Sequence, residues 1–156
     1  LLRIAGQAGA RTARAWHLMV GGPEPGARAA TFAAVAPEVE VHALRRDYRR
    51  LLAAAACSVS HAGYNTVMDL AACTTPAVIV PFAERGEREQ SIRAARLAGV
   101  RGITVLEAEG LEPDRLARAV ETAAKGPPRV RLPVALDGAE RTAARAAETL
   151  EARLGA

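Results

Sequence analysis

The sequence predicts an α/β domain built on a doubly wound parallel sheet, and three observations carry that prediction. Five short apolar runs of strand length alternate with segments whose apolar positions recur every three or four residues. Strict alternation of strand and helix implies right-handed crossovers and a parallel sheet covered on both faces. Half of the 156 residues are hydrophobic but only 3% are aromatic, so the core is built from Ala, Leu and Val. That composition suits helices packed closely on a sheet better than an all-β sandwich. The length fits one domain over residues 1–156.

Taken in order, residues 1–15 read as a helix and residues 17–20 as the first strand, running into Gly21-Gly22. Residues 27–35 have helical spacing, residues 39–44 alternate as a strand, and residues 48–56 return to helical spacing. The third strand, 57–60, runs into His61-Ala62-Gly63 and the helix 65–73. A fourth strand, 77–80, stops at Pro81, the helix 87–97 follows, and a fifth strand, 103–106, ends at an acidic loop. Pro113 lies in the first turn of a helix through Ala124, with Asp114 placed to complement its dipole, and Gly126-Pro127-Pro128 ends it. Asp137 is a cap for a terminal helix, 137–154, whose Ala and Leu face is expected to pack on something. A doubly wound unit opens on a strand and a turn, whereas this one opens on a helix. A first strand and its loop are therefore expected upstream, with residues 1–156 forming most of one half of a larger enzyme.

Composition excludes several function classes. The longest apolar stretch, residues 51–57, is far short of the roughly 20 residues that span a bilayer. Net charge is +4 with Lys125 the only lysine, but Arg is interleaved with Glu and Asp, which argues against a nucleic-acid partner. The one concentration, Arg45-Arg46-Asp47-Tyr48-Arg49-Arg50, reads as a solvated helix start. A phosphate or lipid surface, and with it peripheral membrane association, is the alternative. Cys57 and Cys73 lack CxxC spacing and sit in apolar contexts, as reduced core thiols of a cytoplasmic protein do. His17 and His42 lie within or beside strands and show no metal spacing with His61, so no metal site is read from the sequence.

Ligands of an open parallel sheet collect at the carboxyl ends of its strands. The turn after the third strand is the most informative: Ser60-His61-Ala62-Gly63-Tyr64-Asn65-Thr66-Val67-Met68-Asp69. Gly63 allows a sharp turn and close approach, and the helix that follows opens with N–H groups that have no partner. Such a helix start suits an anion, with Asn65, Thr66 and His61 as side-chain donors. Asp69, one turn further on, is placed to accept from vicinal hydroxyls. Singly these are ordinary cap, turn and strand-end residues; jointly they describe a phosphate and a ribose, hence a nucleotide.

His-Ala-Gly-Tyr-Asn-Thr-Val-Met-Asp resembles, position by position, the His-x-Gly-Trp-Asn-Ser-x-x-Glu donor signature of UDP-sugar glycosyltransferases, and it is similar to the Ser-Gly-x-x-Thr-x-x-Glu segment of the family 28 enzymes. Pro81-Phe82 opens a loop ending in Glu89-Gln90, which resembles the acidic-Gln or Gln-Gln pair that faces the donor sugar in those enzymes. The resemblance covers roughly residues 16–125. It implies the Rossmann-like, donor-binding C-terminal half of a two-domain GT-B type enzyme that transfers a hexosyl group with inversion. His61, Gly63, Asn65 and Thr66 would hold the diphosphate, Asp69 the ribose, Glu89 and Gln90 the sugar, and the loop at Leu44-Arg45-Arg46 would lie along the base. Charge at the leaving diphosphate would be balanced by the helix dipole and His61 rather than by a metal, and no cofactor is implied. Asp69 stands where Glu is commoner and is one methylene shorter. Tyr64 stands where one version has Trp and is expected to be a packing residue. The acceptor and the general base would belong to an N-terminal domain or a partner chain, so no catalytic base is named. A UDP-sugar epimerase of the same fold, and a nucleotide-sugar-binding subunit inactive without a partner, are the alternatives.

Overall fold

In the computed structural model, which describes residues 1–82, 88–132 and 138–154, seven helices alternate with five strands. They are α1 (Leu2–Gly9), β1 (His17–Val20), α2 (Pro25–Val35), β2 (Glu40–Ala43), α3 (Tyr48–Ala54), β3 (Ser58–Ser60), α4 (Tyr64–Ala71), β4 (Ala77–Ile79), α5 (Glu89–Leu97), β5 (Ile103–Val105), α6 (Pro113–Lys125) and α7 (Gly138–Leu154). Every strand pairing is parallel. The predicted class and element order therefore stand.

The sheet itself differs from the expectation of one continuous layer. Among the described residues β1 pairs only with β2, and β3, β4 and β5 pair in that order, so β1 and β3 each keep one edge without a strand neighbour there. A cavity of about 1370 Å³ lies against both open edges, lined by His17, Leu18 and Met19 on one side and Ser58, Val59 and Ser60 on the other. Strand residues of both sheets thus line one cavity.

Side-chain alternation along β4 explains the layering. Val78 and Val80 share a core with Ala5 and Ala8 of α1 and Leu116, Ala117 and Val120 of α6. Ala77 and Ile79 point the other way, into a core with Leu70 and Ala71 of α4 and Ala94 and Leu97 of α5. Helices thus cover both faces, as a doubly wound domain requires. The first core also takes in Leu18 of β1 and Val39, so apolar packing joins the two sheets where hydrogen bonding does not.

Two helix predictions need correction. The first helix stops at Gly9, and residues 10–14 turn back so that the buried Trp16 donates its indole N–H to Thr12 Oγ1 at 2.8 Å. The terminal helix forms, but residues 140–149 are all exposed, so the packing expected of its Ala-rich face is not seen at those positions. Its proposed cap, Asp137, lies outside the described residues. The segment after α6 supplies an unpredicted anchor instead. Arg129 is 1% exposed and donates to the carbonyls of Thr75 at 3.1 Å, Cys73 at 2.8 Å and Leu70. These are carbonyls at and just beyond the C-terminus of α4, where a cation also complements the helix dipole. Gly102 makes room for it: at φ +86, a Cβ there would stand 2.7 Å from Arg129 Cα.

Candidate functional site

The carboxyl end of β3 leads through His61, Ala62 and Gly63 directly into α4. The first hydrogen bond of that helix runs from Val67 N–H to the Gly63 carbonyl at 3.1 Å. The N–H groups of Tyr64, Asn65 and Thr66 precede it and have no partner among the described residues, and no side chain caps the helix. Three free donors at the positive end of a helix are the local chemistry of an anion site. Arg129 fixes the other end of the same helix, so the site rests on an element anchored at its far terminus.

Gly63 reaches this position without unusual backbone geometry. Its φ of −62° and ψ of 151° are open to any residue, and a Cβ there would meet only Thr66 Oγ1 at 3.7 Å. The sharp-turn role predicted for it is therefore withdrawn, and what the glycine contributes is a bare surface beside the N–H groups. Tyr64 is also corrected: it is 65% exposed and is no packing residue. Positive φ in the connections after strands occurs instead at Gly22 (88°) and Glu24 (46°) after β1 and at Gly110 (63°) after β5.

His61 Nδ1 lies 2.7 Å from the Val80 carbonyl and its ring meets Phe82 edge to face. A carbonyl only accepts, so Nδ1 carries a proton and Nε2 is the atom left for a ligand. Next to it, Ser60 Oγ is buried with no hydrogen-bond partner among the described residues. Sequence reading gave Ser60 no role; a hydroxyl at a strand end is unremarkable until its burial is known.

α5 brings its first turn against the same loop. Gln90 Oε1 accepts from the N–H groups of Ala62 at 3.1 Å and Phe82 at 3.2 Å, which ties the ends of β3 and β4 together. Its Nε2 group has no partner among the described residues. Arg93, which the sequence did not single out, donates to the Ala62 carbonyl at 2.9 Å and to Glu89 Oε2 at 2.6 Å. Gln90 and Arg93 thus tie the first turn of α5 to Ala62, just ahead of α4, with Glu89 held by Arg93, so Gln90 carries a structural duty. Residues 83–87 of the intervening loop lie outside the described residues.

Asp69 accepts from Arg49 Nε at 2.8 Å through Oδ1; its side chain is 17% exposed and that of Arg49 77%. One carboxylate oxygen therefore faces an exposed arginine of α3 that the sequence reading took as solvated. Tyr48 lies half-buried nearby, and burial first, then the Asp69 carboxylate, pushes its phenol above the ordinary range. The loop before α3 is exposed throughout Leu44, Arg45 and Arg46. Arg45 clamps Asp47 with two bonds of 2.8 Å, and that hydrogen bonding holds the Asp47 carboxyl below its usual range. The arginine side chain is satisfied within its own loop.

At the amino ends of β1 and β2 the structure groups residues that linear spacing had kept apart. His17 pairs with Glu40 in register and Met19 with His42, so His17, Glu40 and His42 share one face of the two-stranded sheet.

A profile of the glycosyltransferase family 28 C-terminal domain matches residues 17–150. The chain belongs to that family. Over 121 residues it is 31% identical to a UDP-N-acetylglucosamine–N-acetylmuramyl-(pentapeptide) pyrophosphoryl-undecaprenol N-acetylglucosamine transferase of Methylorubrum extorquens, covering 73% of this chain and 33% of that protein. The transferase of the same name from Brucella anthropi is 35% identical over 72 residues, covering 46% of this chain and 19% of its own. The chain thus spans a third or less of these relatives' lengths. Among solved structures, Acinetobacter baumannii MurG superposes with a TM-score of 0.59 at 19% identity, over 77% of this chain and 37% of its own. The calicheamicin glycosyltransferase CalG4 gives 0.56 at 26%, over 80% and 30%. The architecture of this family 28 domain is accordingly that of the Rossmann-like C-terminal domain of GT-B glycosyltransferases.

Proposed function

We propose that this family 28 domain binds the nucleotide-diphosphate sugar donor of a hexosyltransferase, a UDP-sugar first among candidates, and presents it to an acceptor held by another domain or chain. The observation that carries this reading is the start of α4: three unpartnered N–H groups at a strand's carboxyl end, with His61, the Asn65 and Thr66 side chains and Asp69 around them. The diphosphate would lie on the N–H groups of Tyr64, Asn65 and Thr66, where helix polarity contributes roughly 0.3–1 kcal/mol for each favourable charge, and up to about 2 when partly buried. His61 Nε2 donates to it when the ring carries both protons. Asp69 takes the ribose hydroxyls through Oδ2, and through Oδ1 as well when Arg49 swings away. Glu89 and the Gln90 amide N–H face the sugar, and the backbone at Leu44 and Arg45 lies along the base.

In the reaction, an acceptor hydroxyl oxygen forms a bond to the anomeric carbon while the bond from that carbon to the diphosphate oxygen breaks, inverting the centre. The nucleoside diphosphate leaves with the electron pair, and the helix terminus stabilises the negative charge that develops on it. The hydroxyl proton goes to a base outside this chain. The free, partly buried state of Cys57 and Cys73 fits a reducing compartment, and the relatives' names put a UDP-linked N-acetylhexosamine at the head of the donors to try.

A thermal-shift screen of UDP-, GDP- and dTDP-sugars tests the reading, because a ligand that binds only the folded state raises the melting temperature. A UDP-sugar is expected to stabilise the chain, and Asn65→Ala and Asp69→Ala to reduce that response. No response to any nucleotide sugar, or an unchanged response in both variants, sinks the assignment.

A further inference from the structure

We propose that His17, Glu40 and His42 form a binding site for a divalent cation of the zinc class, built across β1 and β2 at the amino end of the sheet and separate from the donor site. Three ligand atoms define it. His17 Nδ1 is 3.2 Å from His42 Nε2, His17 Nδ1 is 3.2 Å from Glu40 Oε2, and His42 Nε2 is 3.4 Å from Glu40 Oε2. This near-equilateral triangle has the dimensions of one face of a coordination tetrahedron, since zinc bound to nitrogen and oxygen at about 2.0–2.1 Å spaces its ligands roughly 3.3–3.4 Å apart. An ion so placed would sit less than about 1 Å above the triangle.

Hydrogen bonding alone does not account for the three contacts. With a proton on each ring nitrogen, both donate to the carboxylate, but the two N–H groups then oppose one another at 3.2 Å. With a proton on one nitrogen only, the other nitrogen and the carboxylate face each other as lone pairs at the remaining contact. A cation in the middle satisfies all three atoms at once. Two imidazoles and one carboxylate select zinc and its transition-metal neighbours over magnesium or calcium, which prefer all-oxygen sets. The side chains are 42%, 63% and 23% exposed in the order His17, Glu40 and His42, so the fourth position opens to solvent, as in sites with three protein ligands.

The fold gives such an ion a task. Among the described residues the β1–β2 pair makes no strand hydrogen bond to the other three strands, and an isolated two-stranded unit is marginal. Register places His17 opposite Glu40 and His42 one pair further along the same face, so the ion would staple the two strands through residues 25 positions apart. His17 and Glu40 open their strands, about 10 Å from the carboxyl ends, and His42, the last residue but one of β2, closes on Glu40; none of the three is a donor-site residue, so loss of the ion and loss of donor binding are measured separately.

The test uses untagged, metal-free protein titrated with Zn²⁺ or Co²⁺. One equivalent is expected to bind saturably, Co²⁺ with visible absorption of a nitrogen–oxygen tetrahedral type and without thiolate charge transfer. His17→Gln and His42→Gln are each expected to weaken binding by at least about tenfold, and Cys57→Ser to leave it unchanged. In the wild-type protein, which needs no variant to fold, Zn²⁺ is expected to shift the ring NMR signals of His17 and His42 and to leave those of His61 in place. No saturable binding, shifts centred on His61, or binding that survives both histidine substitutions overturns the proposal.

Discussion

Gln90 separates a structural duty from a ligand-facing one within a single side chain. Its Oε1 accepts from the N–H groups of Ala62 and Phe82, and Ala62 is 0% exposed, so water cannot replace the lost partner there. Gln90→Ala removes two hydrogen bonds, each worth about 0.5–1.5 kcal/mol net, and leaves one buried donor unpaired at a cost of about 1–3 kcal/mol. The sum is about 2–6 kcal/mol, and at roughly 2–4 °C per kcal/mol for a chain of this size it lowers the melting temperature by about 4–24 °C. Gln90→Glu keeps an oxygen for both N–H groups and deletes only the amide donors. It is expected to melt within about 1 kcal/mol of wild type while weakening the response to a UDP-sugar relative to UDP alone. Urea unfolding of the three proteins, paired with titrations of UDP and the UDP-sugar, reads both arms. An alanine variant as stable as wild type refutes the hydrogen-bond reasoning, and a glutamate variant that keeps the full sugar increment refutes the sugar contact.

Arg129→Ala, which strips a buried cation from the carbonyls of Leu70, Cys73 and Thr75, is expected to cost about 3–5 kcal/mol in denaturant unfolding, with Arg129→Lys intermediate. Cys57, whose thiol burial pushes up from 9.0 to about 11, is expected to react slowly with a thiol reagent near neutrality. Because its native pKa is raised, the native state holds that proton longer, so its contribution to stability falls as pH climbs from about 9 towards 11; Cys57→Ala removes this part of the pH profile. Arg49→Ala, in an exposed ion pair, is expected to change stability by no more than about 1 kcal/mol and to affect nucleotide binding less than Asp69→Ala, as calorimetric titration checks.

Local pattern carried the fold. Each strand was visible because β4 and its neighbours are apolar runs bounded by Pro or Gly, and each helix because apolar spacing follows the buried stripe, as Leu116, Ala117 and Val120 show for α6. The candidate site is legible as a turn for the same reason: its residues are contiguous, so 60–69 is one strand end and one helix start. What was not legible depends on register and distance. His17, Glu40 and His42 meet only because β1 and β2 pair as they do, and no spacing rule exposes two histidines 25 residues apart. Arg129 read as one arginine among many until its carbonyl partners, more than 50 residues away in sequence, came into place. Gln90 was readable as a polar residue at a helix start but not as the tie between β3 and β4. The break between β1 and β3 follows from pairing, which the order of elements leaves open.

The most direct test of the donor-site account is an amide NMR titration of the isotope-labelled chain with UDP. Shifts concentrated at Tyr64, Asn65 and Thr66, with smaller ones at His61 and Asp69, are the expected result. A titration that leaves those three amides unmoved while others shift contradicts it.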